Sequence, residues 1–375
     1  PYLASLRMDQ AKSWKEYREA CNYFNIPGEN MVWADKYGDI GWQSVGIAPI
    51  RKTHSGLVPV KGDGNFEWKD YLEIIQKPNL FNPEKGYIAT ANQNVTPDNY
   101  DKWDAIGYDW ADPYRGNRVN NVIEGMDKFD MKDMINLQID YFSIPSKQII
   151  ELSKGHIKNN IEHFEKLSKW NNVLDKNSIE AGIYIEWQNQ IHFEFVREFV
   201  PEEVQKYIEI QIYKVIEGIS KMNDKQKSLF LDKTFDHAIK RLKEKFGADS
   251  NGWIYGQNNY KHVKIYHPLE KVVNDSIKNI IALKTYPRGG DGYTPGSTSN
   301  ELNQKSGGSF RVVINTKDWD NSFATNSPGQ SGNPTSKFYK NLYEDWAYDK
   351  FFPLLYSKNK ILINLSDRKI YRPSD

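Results

Sequence analysis

From about Tyr114 to Leu283 the sequence is mainly helical in pattern, and on either side of that block the signals are those of short strands and turns. A helical region of this length between strand-rich ends makes the chain α+β, with expected parts at 1–120, 121–284 and 285–375. Helix starts are expected near Asp130, Ser146, Pro201 and Asp224.

The strand-rich ends can be read further. Ser13-Trp-Lys-Glu16 is a capping box, and Trp14, Tyr17, Cys21 and Phe24 follow at helical spacing, so a helix is expected to about residue 24, where Pro27-Gly28 ends it. Met31–Ala34 and Ile40–Val45 flank Asp35-Lys-Tyr-Gly-Asp39, a hairpin with a glycine in its turn. A long loop follows, then Tyr87-Ile-Ala-Thr-Ala-Asn92 reads as a short buried strand ending at a polar cluster, and 94–113 reads as loop. Strands return in Phe310–Asn315 and near Asn321–Thr325, before a last helix through Trp346.

Composition removes several functions. The 375 residues are 39% hydrophobic and 14% aromatic, enough for a substantial ordered core. Fifty Lys and Arg against 49 Asp and Glu leave a net charge of +1, which gives no electrostatic reason to expect nucleic acid or an anionic membrane as partner. No apolar run approaches the roughly 20 residues of a membrane span. Cys21 is the one cysteine, so no internal disulfide and no Cys cluster for a metal can form; on a helix face it reads as a buried structural thiol. The Lys240–Lys245 run reads as a solvated helix face.

Four constellations could carry chemistry. In Gly86-Tyr-Ile-Ala-Thr-Ala-Asn-Gln-Asn94 a strand delivers amides that could donate to a developing oxyanion, or merely satisfy loop backbone. Gly107–Arg118 sets Arg115 and Arg118 at a helix start among aromatics, suited to a carboxylate or carbonyl, or to structural ion pairs with Asp109 or Asp112. Pro287-Arg-Gly-Gly-Asp-Gly-Tyr-Thr-Pro295 lacks a P-loop ending and reads as a tight loop packed near a site. Asp318-Trp-Asp320 pairs two carboxylates, which on a strand would both face solvent. The seven His form no zinc-protease pair, with His262 and His267 reading as part of a strand, and no Gly-x-Ser-x-Gly elbow singles out a serine.

Taken in order, Val32-Trp-Ala-Asp-Lys-Tyr-Gly-Asp-Ile-Gly41, Pro59-Val-Lys-Gly-Asp-Gly64, Tyr87–Asn92, Tyr266-His-Pro-Leu269 and Asp318-Trp-Asp-Asn-Ser322 running on to Ser327-Pro-Gly-Gln-Ser-Gly-Asn333 resemble the large chain of the penicillin acylase family. That family also holds cephalosporin and acyl-homoserine-lactone acylases. The resemblance implies a four-layer αββα N-terminal-nucleophile hydrolase sandwich, here partial, and a precursor that cuts itself to expose a Ser whose own α-amine serves as base.

By the same resemblance Asn92 corresponds to the side-chain donor of the oxyanion hole and Arg118 to the arginine bordering the active site. Ala91 stands where penicillin G members often carry Trp, and Asn121 where they carry an acid, so the acyl pocket differs and penicillin itself is not assigned as substrate. The chain opens with Pro1, and its first motif matches an interior point of the family's large chain, so the nucleophile is expected elsewhere; Ser5 does not replace it. Expected partners are the rest of the precursor, namely its α chain and the first part of its β chain, and a small acyl amide. No cofactor is required, a structural calcium is allowed by the resemblance without a legible ligand set, and an extracytoplasmic location follows from the resemblance alone. The isolated chain is expected to be inactive. Two other readings stay open: a non-catalytic acyl- or glycan-binding protein on the same fold, or a glycoside hydrolase built on Asp318 and Asp320.

Overall fold

The Ser13 signal opens a helix as expected. In the computed structural model, which describes residues 3–372 and so leaves Pro1 outside the described residues, α1 is Leu3–Met8 and α2 is Trp14–Cys21. The Ser13 hydroxyl accepts from the Glu16 N–H at 3.3 Å, and the Glu16 carboxylate reaches back to the Lys12 N–H at 2.8 Å. Two terminal donors are thereby satisfied. The helix stops at Cys21 and finishes as a turn, which still delivers Cys21 and Phe24 to a core with Ala4, Val45 and Ile74. Cys21 is fully buried, and burial pushes its thiol up to about 12.

The chain divides into two units, the first ending at Gly116 and the second beginning at Asn117. In the first, β1 (Asn30–Ala34) and β2 (Ile40–Ser44) form the expected antiparallel hairpin. Gly38 takes φ +99° in its turn, and Asp35 Oδ1 accepts from the Tyr37 and Asp39 N–H groups. β3 (Ala48–Pro49) pairs with β4 (Tyr71–Leu72), β5 (Asn79–Phe81) pairs with β2, and α3 is Trp103–Ile106. The expected strand at 87–92 is not one: the segment is irregular, half-buried over 87–91 and exposed at Asn92. Strand structure needs a ladder of backbone partners, and among the described residues no strand pairs with it.

The second unit takes up α4 (Tyr114–Glu124), within which the division falls, and runs through α5 (Met131–Gln138), α6 (Ile144–Ser153), α7 (Ile161–Ser168), α8 (Ile179–Phe199), α9 (Glu202–Gln205), α10 (Ile212–Ser220) and α11 (Asp224–Phe246). Asp130 and Asp133 make a reciprocal capping box for α5. α6 starts two residues before Ser146, because the Ser143 hydroxyl caps the Ser146 N–H and Pro145 sits in the first turn, where its missing N–H costs nothing.

α8 and α11 build the core of this unit. Trp187 is buried, donates to Thr234 Oγ1 at 3.1 Å and meets the Phe235 ring edge-on at 4.9 Å. The Lys240–Lys245 face is not wholly solvated: Arg241 and Lys245 reach across to Glu186 at 2.7 and 2.6 Å. Glu186 is 1% exposed, and a carboxylate buried that deeply needs paired cations.

After α11 come β6 (His262–Val263), α12 (Asp275–Ile281), β7 (Tyr286–Pro287), β8 (Arg311–Val313), β9 (Phe323–Thr325), α13 (Tyr343–Ala347), β10 (Phe352–Pro353) and α14 (Lys358–Ile363). Strands order as β10-β9-β8 in one sheet and β6-β7 in another. The helix through Trp346 is therefore not the last; α14 buries none of its residues, so no apolar stripe announced it.

Candidate active site

Asn92 sits in the first unit on backbone at φ +67°, a left-handed conformation that Asn tolerates better than most side chains. Its carbonyl accepts from the Ala111 N–H at 3.2 Å, and its Oδ1 accepts from Arg115 Nη2 at 2.7 Å. With the oxygen end held by a guanidinium, the amide nitrogen is the donor end of the group. Next to it, the Ala91 N–H donates to Gln93 Oε1 at 2.6 Å. A Cβ on Gly116 would come within 2.4 Å of the end of the Gln93 side chain, so a larger residue there would make Gln93 move.

Asn92 and Gln93 line a cleft of about 310 Å³ together with Trp42, Lys77, Arg51 and Trp110. Ala91, the expected acyl-pocket position, is not among its lining residues. Lys77 is 8% exposed; its ammonium donates to the Val45 and Gly46 carbonyls at 2.7 and 3.0 Å, and burial pushes its pKa down to about 8. No motif in the sequence pointed to Lys77. Arg115 was visible in the sequence only as one of two arginines at a helix start. The structure assigns it to Asn92 rather than to an ion pair with Asp109, and burial lowers its pKa, with Asp112 opposing that shift.

Arg118 lies in the second unit. Its Nε donates to Asp140 Oδ2 at 2.7 Å and its guanidinium stacks on Phe142 at 4.4 Å from the ring centre. It lines a separate cleft of about 580 Å³ with Asp140, Lys176, Tyr348 and Asp349. The acid that pairs with it, Asp140, comes from just beyond the end of α5, a juxtaposition that spacing along the chain cannot reveal.

The other candidates resolve structurally. Asp318 and Asp320 lie in a turn rather than on a strand, and Asp320 Oδ1 accepts from the Tyr356 and Ser357 N–H groups, which hold its pKa down to about 2. A carboxylate so committed is a poor acid or nucleophile for glycoside cleavage. His267 caps a short 3₁₀ turn through the Leu269 N–H, and His262 Nδ1 lies against the Tyr260 carbonyl. Among the described residues no three His, Cys, Asp or Glu side chains gather as a metal site. Nor, among them, is any helix long and apolar enough to cross a membrane.

The family model for penicillin amidases matches residues 1–362. The chain belongs to that family. Among its relatives, the acyl-homoserine lactone acylase QuiP of Pseudomonas aeruginosa is 22% identical over 92% of this chain and 46% of its own length. The penicillin acylase 2 proenzyme of a Pseudomonas species is 24% identical over 95% and 47%, and the Escherichia coli penicillin G acylase is 31% identical over 32% and 14%. The chain thus spans just under half the length of the curated relatives that match it throughout. A thermostable penicillin G acylase from Alcaligenes faecalis superposes on all of the chain and 72% of its own with a TM-score of 0.69 at 17% identity. The penicillin amidase fold, α+β as expected, is therefore the fold of this chain, and the resemblance read from its ordered motifs is borne out.

Proposed function

We propose that these 375 residues are part of an amidohydrolase that cleaves an acyl group from an amine, through an acyl-enzyme on an N-terminal Ser outside this chain. The relatives named as penicillin and acyl-homoserine lactone acylases support this substrate class. In this reading the serine hydroxyl attacks the amide carbon, its own α-amine takes the proton and later passes it to the leaving amine, and Asn92 donates to the negative oxygen of the tetrahedral adduct. By the family resemblance alone, Arg118 is taken as the arginine that borders the active site and Ala91 as the acyl-pocket position, where a larger side chain would narrow the pocket.

The observation that carries the proposal is the state of the Asn92 carboxamide: it lines a cleft, and a charge-assisted bond from Arg115 occupies its oxygen, which leaves its N–H groups as the donor for an oxyanion. The share of the relatives' length that the chain spans supports a nucleophile supplied by another part of the precursor. The test is made in the full-length product with chromogenic phenylacetyl and fatty-acyl amides. Asn92→Ala is expected to lower turnover by about 100- to 1000-fold in a protein that still folds; retained turnover rejects the role of Asn92. The 375-residue chain alone is expected to show no turnover, and activity there would place the nucleophile within it.

A further inference from the structure

The loop that follows β7 and the strand β8 each bring an arginine into the same buried place in the second unit, and the proposed chemistry uses neither. Arg288 is 1% and Arg311 5% exposed. Each donates through Nη1 to the same oxygen, Asp349 Oδ1, at 2.9 and 2.8 Å. Both guanidinium carbons also lie over the Trp346 ring, 5.1 and 5.8 Å from its centre. Arg288 further donates through Nε to Gln304 and through Nη1 to the Ala347 carbonyl, while the other Asp349 oxygen accepts from the Tyr141 hydroxyl. Asp349 itself is held at φ +58°.

This leaves a surplus of two kinds. The Nη2 groups of both arginines are buried without a hydrogen-bond acceptor. Two guanidiniums, which cannot deprotonate, also share one carboxylate, for a net charge of +1 in a buried place. The neighbouring buried cation, Lys261, does not add to the imbalance: its ammonium is held by the carbonyls of Thr298, Ser299 and Glu301, and the buried Asp291 and exposed Glu301 face it. A neutral carbonyl or water would satisfy the orphaned donors but not the charge; an anion satisfies both.

We propose that Arg288 and Arg311 hold one small monovalent anion, of halide size, on their Nη2 groups as a constant part of the fold. A single charge is what the cluster lacks, and close packing by Trp346, Tyr141 and Gln304 favours a compact ion over a carboxylate with a chain attached.

Crystals of the chain soaked in bromide test the site directly. An anomalous peak within about 3.5 Å of the Nη2 of either arginine is expected; ordered water without anomalous signal at both overturns the proposal. In solution, replacing gluconate by chloride at matched ionic strength is expected to raise the Tm by a few degrees, saturating with chloride, and Arg311→Gln is expected to abolish that shift. Should Arg311→Gln not fold, Arg311→Lys, which keeps the charge but loses the second amino group, is expected to lose most of the shift. An equal shift in the variant marks a general salt effect and also overturns the site.

Discussion

The α8–α11 pair and the loop around Asn92 are built on opposite plans. The helix pair satisfies its own backbone, buries Trp187, Leu231, Phe235 and Ile239 completely or nearly so, and pairs each buried acid with cations from the facing helix. The Asn92 loop has no strand ladder, turns through left-handed backbone at Asn92, and is tied by the Ala111–Asn92 backbone bond, the Arg115 bond to Asn92 and the bond that Gln93 accepts from Ala91. A region that only has to be stable can be completed locally, whereas a proposed donor must keep N–H groups uncommitted and thus gives up contacts that would hold it.

The largest expected effect breaks the helix pair. Trp187→Ala should cost about 3–5 kcal/mol in urea unfolding of the second unit, because it removes a buried aromatic in edge contact with two rings together with its hydrogen bond to Thr234. A cost below 1 kcal/mol would mean that the pair is not the source of the unit's stability.

Next comes a pH effect in the same unit. Burial raises the Asp291 carboxyl to about 6, above its unfolded value of about 4, so the folded state holds a proton that the unfolded state releases between those values. The stability this contributes is fully present below about pH 4 and lost as pH rises through 6, at most about 3 kcal/mol. Asp291→Asn is expected to flatten that part of the curve of stability against pH, and an unchanged slope would assign it to other groups.

The smallest effects sharpen the contrast in the first unit. Ser13→Ala should cost about 1 kcal/mol through loss of the cap, measured by thermal melts. Arg115→Ala should cost a similar amount or less in stability, since it breaks one half-exposed bond, yet it should lower turnover of the full-length product by freeing the Asn92 amide to rotate. If Arg115→Ala changes stability but not turnover, the bond is structural and the contrast between the two regions disappears.

What was legible in the sequence follows from local physics. The Ser13 and Asp130 caps, the 35–39 turn, the burial of Cys21 and the long helical block each depend on residues within a few positions of one another. The ordered motifs likewise carried the family, because turn and strand-end residues recur at spacings a single chain displays. What depended on distant partners was not legible. The segment 87–92 has strand-like residues and no strand to pair with among those described; Arg118 met the distant Asp140; and Arg241 and Lys245, though exposed, also pair with the buried Glu186.

The sequence by itself therefore determined the class of fold and the family, since helix periodicity, caps and turns are set by near neighbours and each favours one conformation on its own. Only the tertiary structure decided which arginine holds Asn92, where Arg118 spends its charge, and that Arg288 and Arg311 share one carboxylate. Those outcomes rest on side chains brought together across long stretches of chain, where the energy of a pair depends on burial and on competing partners that linear spacing does not encode.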